Sequence, residues 1–220
     1  MALIPFEPPP PAVAWLWKDA QAPAWSQSRV AVVDRHILLS GDTVRVRPGA
    51  RPRSLPASTK VTPVVHVELD QLRPAASLRA AAPLIVAAME SAARATTSDW
   101  VQLDLEARPS QRADYRALVQ QIRQALPAKV QLSVTALAWW CRSPAWLDGL
   151  AANEVVPMFF KMGRDGDAMR ALVTRQPGAL HPLCRAGSAG FSAQEPFERT
   201  VIARYAQTYW FDYYGWRKTP

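Results

Sequence analysis

The stretch "DWVQLDLEARPS", Asp99 to Ser110, decides how the chain is read. Side chains alternate across a β-strand with a period of two, so Val101, Leu103 and Leu105 share one face while Gln102, Asp104 and Glu106 share the other. An apolar face that packs under a layer of helices leaves two carboxylates and an amide on the opposite side. Facing bulk water, that side would be the exterior of a two-layer protein. Facing an enclosed interior, it would be a site.

The neighbouring segments favour the interior. Candidate strands with β-branched and aromatic residues read as "AVAWLWK" (12–18), "RVAVVDRHILLS" (29–40), "VTPVVHVEL" (61–69), "WVQLDLEA" (100–107), "VQLSVTALAWW" (130–140), "VVPMFFKM" (155–162), the weaker "GALHPLCRA" (178–186) and "RYAQTYWFDYY" (204–214). Helices read as "AAPLIVAAMESAARAT" (81–96), "RADYRALVQQIRQALP" (112–127), "DAMRALVTRQ" (167–176) and a short "SPAWLDGLAA" (143–152). In the second of these, Tyr115, Leu118, Val119, Ile122 and Leu126 make an apolar stripe, Ser110 is placed to cap it and Pro127 to end it. Strands joined by helices imply right-handed crossovers and a parallel sheet. Eight such strands predict an α/β fold, a compact (β/α)8 TIM-like barrel, since about 200 residues is the lower limit for that fold and the chain has 220. The segments between the first three strands, "DAQAPAWSQS" and "GDTVRVRPGARPRSLPASTK", hold too much Pro and Gly for outer helices, so loops should cover the barrel there. An open doubly wound sheet is the competing architecture, but no Gly-rich phosphate turn follows any strand.

Residues 1–11 read as an extended, Pro-rich lead and 12–220 as a single barrel domain. The lead shows no export signal, and no run reaches the eighteen or so apolar residues of a membrane span. The net charge of +8 comes from scattered arginines with a local cluster at Arg45 to Arg53. Without a basic stripe or recognisable module this argues against nucleic acid and fits solubility or attraction to an anionic polymer. Cys141 and Cys184 fit no metal spacing. They read as two buried thiols or one bridge, which an oxidising compartment would permit. No cofactor motif is present, and the oligomeric state is not legible.

The same alternation places His66 and Glu68 together on the third candidate strand, Asp34 and His36 on the second, and Ser133 and Thr135 on the fifth, with Lys161 at the end of the sixth. In a barrel these faces point into the lumen, and groups at the C-terminal strand ends are the ones placed for chemistry. Each also has a structural reading: His36 and His66 as hydrogen-bonded core histidines, Lys161 as a counter-ion, and Asp104 with Glu106 as a paired polar network. Tryptophans lie mostly at strand ends, among them Trp15, Trp17, Trp139, Trp140 and Trp210, the last beside Tyr209. Flat aromatic faces with a polar handle suit sugar rings, and core packing is the alternative for any one of them.

"DWVQLDLE" resembles the fourth-strand signature of family-eighteen chitinase-like barrels, Asp-Gly-x-Asp-x-Asp-x-Glu, with Asp99, Asp104 and Glu106 at matching positions, Trp100 in place of Gly and Gln102 in place of the middle Asp. A wider run, roughly residues 12–215, is similar to a poorly characterised bacterial family of chitinase-like barrels often carried by exported proteins. The resemblance implies a glycoside hydrolase acting on a cell-surface polysaccharide in the periplasm or cell envelope. In it Glu106 is the general acid and Asp104 the orienting carboxylate, with Trp15, Trp17, His66, Glu68, Gln102, Thr135, Trp139, Trp140, Lys161, Tyr209 and Trp210 toward the substrate. The sixth-strand "MFFK" keeps Met158 of that family's Met-x-Tyr-Asp but has Phe160 for Tyr and Lys161 for Asp. This implies either a substrate that is not an N-acetyl sugar or a barrel that binds glycan without cleaving it. A third expectation, from another class, is a metal-dependent hydrolase using His36, His66, Glu68 and Asp104.

Overall fold

The computed structural model describes residues 8, 11–17, 21–52, 55–72, 78–213 and 216, so most of the Pro-rich lead lies outside the described residues. Among them nine strands form one sheet: β1 (Ala12–Leu16), β2 (Arg29–Ser40), β3 (Thr43–Pro48), β4 (Lys60–Leu69), β5 (Trp100–Leu105), β6 (Gln131–Leu137), β7 (Glu154–Met158), β8 (Ser188–Ser192) and β9 (Gln207–Phe211). The order is β1-β9-β8-β7-β6-β5-β4-β2-β3, and β1 also pairs with β2. That last pairing closes eight parallel strands into a barrel, with β3 added antiparallel to the far half of β2.

Closure separates the two faces of every strand. Outward residues such as Val65, Val67, Val101, Leu103 and Leu105 pack in one large core under α1 (Leu78–Ala95) and α2 (Arg112–Ala125). The stripe Tyr115, Leu118, Val119 and Ile122 of α2 is buried there, each side chain contributing about 1.5–3 kcal/mol by removal from water. Inward residues Val13, Trp15, Ala31, Val33, Val64, Val156, Met158 and Tyr209 form a separate lumenal cluster. Over β1 and β2, Ala14, Leu16, Val30 and Val32 are covered by irregular segments around Ala22, Trp25 and Leu55, as the Pro and Gly content there requires.

Several elements depart from the reading of the sequence. The strand β3 lies inside a stretch expected to be loop. In β2 the register slips between Val33 and Arg35, a β-bulge that turns both Asp34 and Arg35 outward, and His36 inward. Asp34 therefore does not share a face with His36; it pairs with Arg35 at 2.7 Å, and Arg35 reaches Ser91 of α1. The segment 178–186 is not a strand but two 3₁₀ turns, Pro177–Ala179 and Pro182–Cys184, because each proline lacks the N–H that a ladder needs. Cys184 is bonded to Cys141, which ties these turns to the 3₁₀ segment Ala138–Arg142 that follows β6. The strand that completes the barrel is instead β8, "SAGFS", whose small residues carry little strand signal. The short helices α3 (Pro144–Leu147) and α5 (Arg199–Ile202) and the longer α4 (Gly166–Arg175) complete the outer layer.

Gly190 in β8 shows why small residues sit there. A Cβ on it would lie 2.7 Å from the ring of Trp15, which crosses the lumen to donate from Nε1 to Gln102 at 2.7 Å. Gly190→Ala should cost about 1–3 kcal/mol by overpacking. Thermal melts should show that loss, and Trp15→Phe in the same chain should recover part of it. Equal melting temperatures for wild type and Gly190→Ala would contradict this account of the lumen.

Candidate functional site

The lumen is filled in its lower part and open above. In the lower part Gln102 bridges Trp15 and Ser133, donating to the Ser133 hydroxyl at 3.0 Å. Glu154 accepts from Tyr209 Oη at 3.0 Å and from Ser188. Gln102, Ser133, Ser188 and Tyr209 are buried and Glu154 is half-buried, all with hydrogen bonds made, so they plug the barrel as a polar core. Trp15, Gln102 and Tyr209 belong to that plug. Tyr209 is held protonated by burial and by the Glu154 charge.

One layer higher, the register aligns His36, His66, Asp104 and Thr135 across β2, β4, β5 and β6. Asp104 is 3% exposed. Its Oδ1 accepts from Thr135 Oγ1 at 2.6 Å and its Oδ2 from His66 Nδ1 at 2.7 Å. Both oxygens are thus occupied. His66 meets Trp17 edge-on at 4.5 Å and His36 at 5.4 Å, ring centre to ring centre. Burial alone would lower the His66 pKa, but the hydrogen bond to Asp104, its charge, and the charges of Glu68 and Glu106 outweigh it and raise the pKa above its ordinary value.

Above this layer a cleft of about 1130 Å³ opens at the C-terminal ends of the strands. Its walls include Trp17, His66, Glu68, Asp104, Glu106, Arg108, Trp139, Phe160, Lys161 and Phe211. Glu106 follows β5 by one residue, keeps solvent access and has no hydrogen-bond or ion-pair partner among the described residues. Crowding by the cleft walls and the Asp104 charge raise its pKa, while His66 and Lys161 pull it down; the net direction is up. Lys161 reaches the cleft because β7 ends at Met158. Its backbone takes a left-handed φ of 48°, its N–H donates to the Glu195 carboxylate at 3.0 Å, and its ammonium lies over Phe211 and Tyr213. Phe160 stacks on Phe211 at 5.4 Å. Trp139, 38% exposed, also lines the cleft, just past the end of β6.

The structure therefore brings Trp17, His66, Glu68, Asp104, Glu106, Trp139 and Lys161 to one cleft, with Thr135 supporting it from below. It does not bring Trp140 or Trp210 there. Both are fully buried on the outer face: Trp140 stacks on Trp146 at 4.1 Å under α2, and Trp210 packs on Phe191. Phe160, Phe211 and Arg108 are cleft residues that the sequence reading left out of the site; Phe211 was legible as the next inward position after Tyr209. Among the described residues no group of three or more His, Cys, Asp and Glu side chains is placed to hold a metal ion. No helix among them is long and apolar enough to cross a membrane.

No family model matches the chain, and no curated protein is significantly similar to it. Among solved structures it is similar to a Streptomyces coelicolor protein assigned provisionally as chitinase A, with a TM-score of 0.52, 14% identity, and coverage of 83% of this chain and 75% of that one. At that identity the likeness shows the fold alone, a (β/α)8 TIM-like barrel.

Two titrations check the electrostatics. Lys161→Met should move the Glu106 pKa further up and Asp104→Asn should move it down, as read by carboxyl NMR. Because the His66 pKa is raised by folding, its contribution to stability is complete below pH 6.5, its ordinary value, and is lost as pH rises through the folded value. The stability advantage of wild type over His66→Gln should therefore be largest in acid and shrink in base; an advantage that grows with pH would contradict the Asp104–His66 pairing.

Proposed function

We propose that this barrel is a glycoside hydrolase that acts on a cell-surface carbohydrate polymer, with Glu106 as the general acid. The observation that carries the reading is the placement of Glu106: a carboxyl with no hydrogen-bond or ion-pair partner among the described residues, at a C-terminal strand end in an open aromatic cleft, with its pKa raised by crowding of the cleft walls and by the Asp104 charge. A raised pKa favours the protonated carboxyl that a general acid must bring to the glycosidic oxygen. Asp104, fixed by Thr135 and His66, supplies negative charge beneath the sugar, where positive charge develops at the anomeric carbon. Its oxygens are spent on those two partners, so the second carboxylate that hydrolysis needs is Glu68. This residue lies beside Glu106 in the sheet, each following by one residue the last registered pair, Val67 and Leu105. Trp17 and Trp139 provide apolar faces for sugar rings.

Phe160 offers no hydrogen bond to an acetamido oxygen, so the substrate need not be N-acetylated. The fold-level likeness to a provisionally assigned chitinase supports a carbohydrate substrate. The Cys141–Cys184 bond supports an exported protein in the periplasm or cell envelope, where disulfides persist.

The test is turnover of cell-envelope polysaccharide, read as new reducing ends. Glu106→Gln and Glu68→Gln should each lower kcat at least 100-fold with unchanged melting temperature, while Trp139→Ala should mainly raise KM. If wild type releases no reducing ends yet binds glycan, and Glu106→Gln binds equally well, the barrel is a glycan-binding module instead.

A further inference from the structure

We propose that the β2–β3 hairpin is a binding rail for acidic sugars, so that the polymer running through the cleft carries carboxylates. This rests on the reading of the cleft as a carbohydrate site and names the chemistry of what it takes. Closing the barrel needs only β1 against β2; β3 adds nothing to that closure and is exposed along its whole length. Beyond the bulge β2 stays paired with β4 on one edge and pairs on its other edge with β3 over six residues. Gly49 then turns the chain back so tightly that a Cβ there would lie 1.8 Å from the Val33 carbonyl oxygen. The hairpin thus stands at the mouth of the barrel, anchored at its base by Gly49 and Ala50 donating to the Asp34 and Val33 carbonyls.

The register fixes which side of β3 looks at the cleft. Val46 is opposite Ile37 and Val44 opposite Leu39, and those partners are buried on the outer face. Arg45 is opposite Leu38, a cleft wall residue, and Arg47 opposite His36, whose ring touches those of Trp17 and His66. Directly opposed residues share a face, so Arg45 and Arg47 continue the cleft floor outward, about 7 Å apart along the strand. Neither has a carboxylate partner among the described residues. Arg108, whose guanidinium donates to the Asp70 carbonyl, and Lys161, held over two rings, bring further positive charge to the rim. The carboxylates facing the same space, Glu68, Asp70, Asp104 and Glu106, line the floor and the β4 side. Asp104 is paired with His66 and Thr135, and Asp70 accepts from Ser40 and from the Leu72 N–H. An acidic polymer would accordingly run along the rim over the guanidinium forks, which match carboxylates in a bidentate way, and present one linkage to Glu106.

The experiment measures binding of the full chain to polygalacturonate and to its fully methyl-esterified form, which has the same backbone without the charge. Arg45→Ala/Arg47→Ala is compared with Lys129→Ala/Arg175→Ala. This second pair removes the same charge where β6 begins and α4 ends, at the opposite end of the barrel. The expected result is at least tenfold weaker binding of polygalacturonate by the hairpin variant, less than twofold by the remote variant, and no change for the methyl ester. Equal losses in both variants would reduce the effect to net charge and overturn the proposal. So would equal wild-type affinity for the two polymers, or equally tight binding of single-stranded DNA through the same arginines. Methyl ester binding that is lost in Trp139→Ala but unaltered in the hairpin variant, with polygalacturonate also unaltered there, would reject the rail and keep the cleft. Absence of binding to either polymer would reject both.

Discussion

The site depends on one constraint: in a sheet closed on itself, the two-residue repeat of each strand becomes a division between a greasy outside and an enclosed inside. Pairing of β1 with both β9 and β2 imposes that closure. Once it is made, β5 cannot turn Leu103 and Leu105 to the helices without turning Gln102, Asp104 and Glu106 to the lumen. A slip of one residue would bury the carboxylates under α1 and α2 with nothing to pair them, a cost of several kcal/mol per charge. The β2 bulge obeys the same rule. One extra residue lets Val33 below it and His36 above it both face inward, while Asp34 and Arg35 satisfy each other outside.

Within the lumen, height along the strand decides chemistry. Gln102, Ser133 and Tyr209 are sealed and hydrogen-bonded, with half-buried Glu154 accepting from Tyr209, and they fill the lower barrel. Asp104 sits at the boundary, buried but charged, with Thr135 and His66 meeting both oxygens. Glu106 lies one step further out, where water reaches it and no side chain among the described residues neutralises it. Successive inward positions of one strand thus pass from structural amide to fixed charge to available acid. The gradient follows from how far each layer is from the barrel mouth.

Much of this was legible in the sequence. The parity of "WVQLDLE", the partnership of His66 with Glu68 on one face, and the strand and helix alternation all follow from periodicity, and they predict both the barrel and the orientation of Asp104 and Glu106. What was not legible has physical reasons. The strand β8 has Ser188, Gly190 and Ser192 at alternate positions, with Gly190 small because Trp15 occupies the space a larger residue would need, so its pattern is weak. The strand β3 was hidden by the Pro and Gly around it, which shape the turns at its two ends. Trp140 and Trp210 lie at strand ends like Trp17 and Trp139, but end position alone does not say which face a ring takes. Trp210 falls on the outward parity next to inward Tyr209, and Trp140 leaves the strand in a 3₁₀ turn. The pairing of Cys141 with Cys184 depends on where two turns meet in space, which no spacing rule encodes.

The most direct test of the inward-facing acid is thiol reactivity at adjacent positions of one strand end, since the native cysteines are bonded to each other. Cysteine placed at position 106 should react readily with a small hydrophilic maleimide and slow markedly with one too bulky for the cleft. Cysteine at 105, against the helices, should stay unreactive to both in the folded state. Fast labelling at 105 together with protection at 106, or size-independent labelling at 106, would place the acidic face elsewhere and contradict the account.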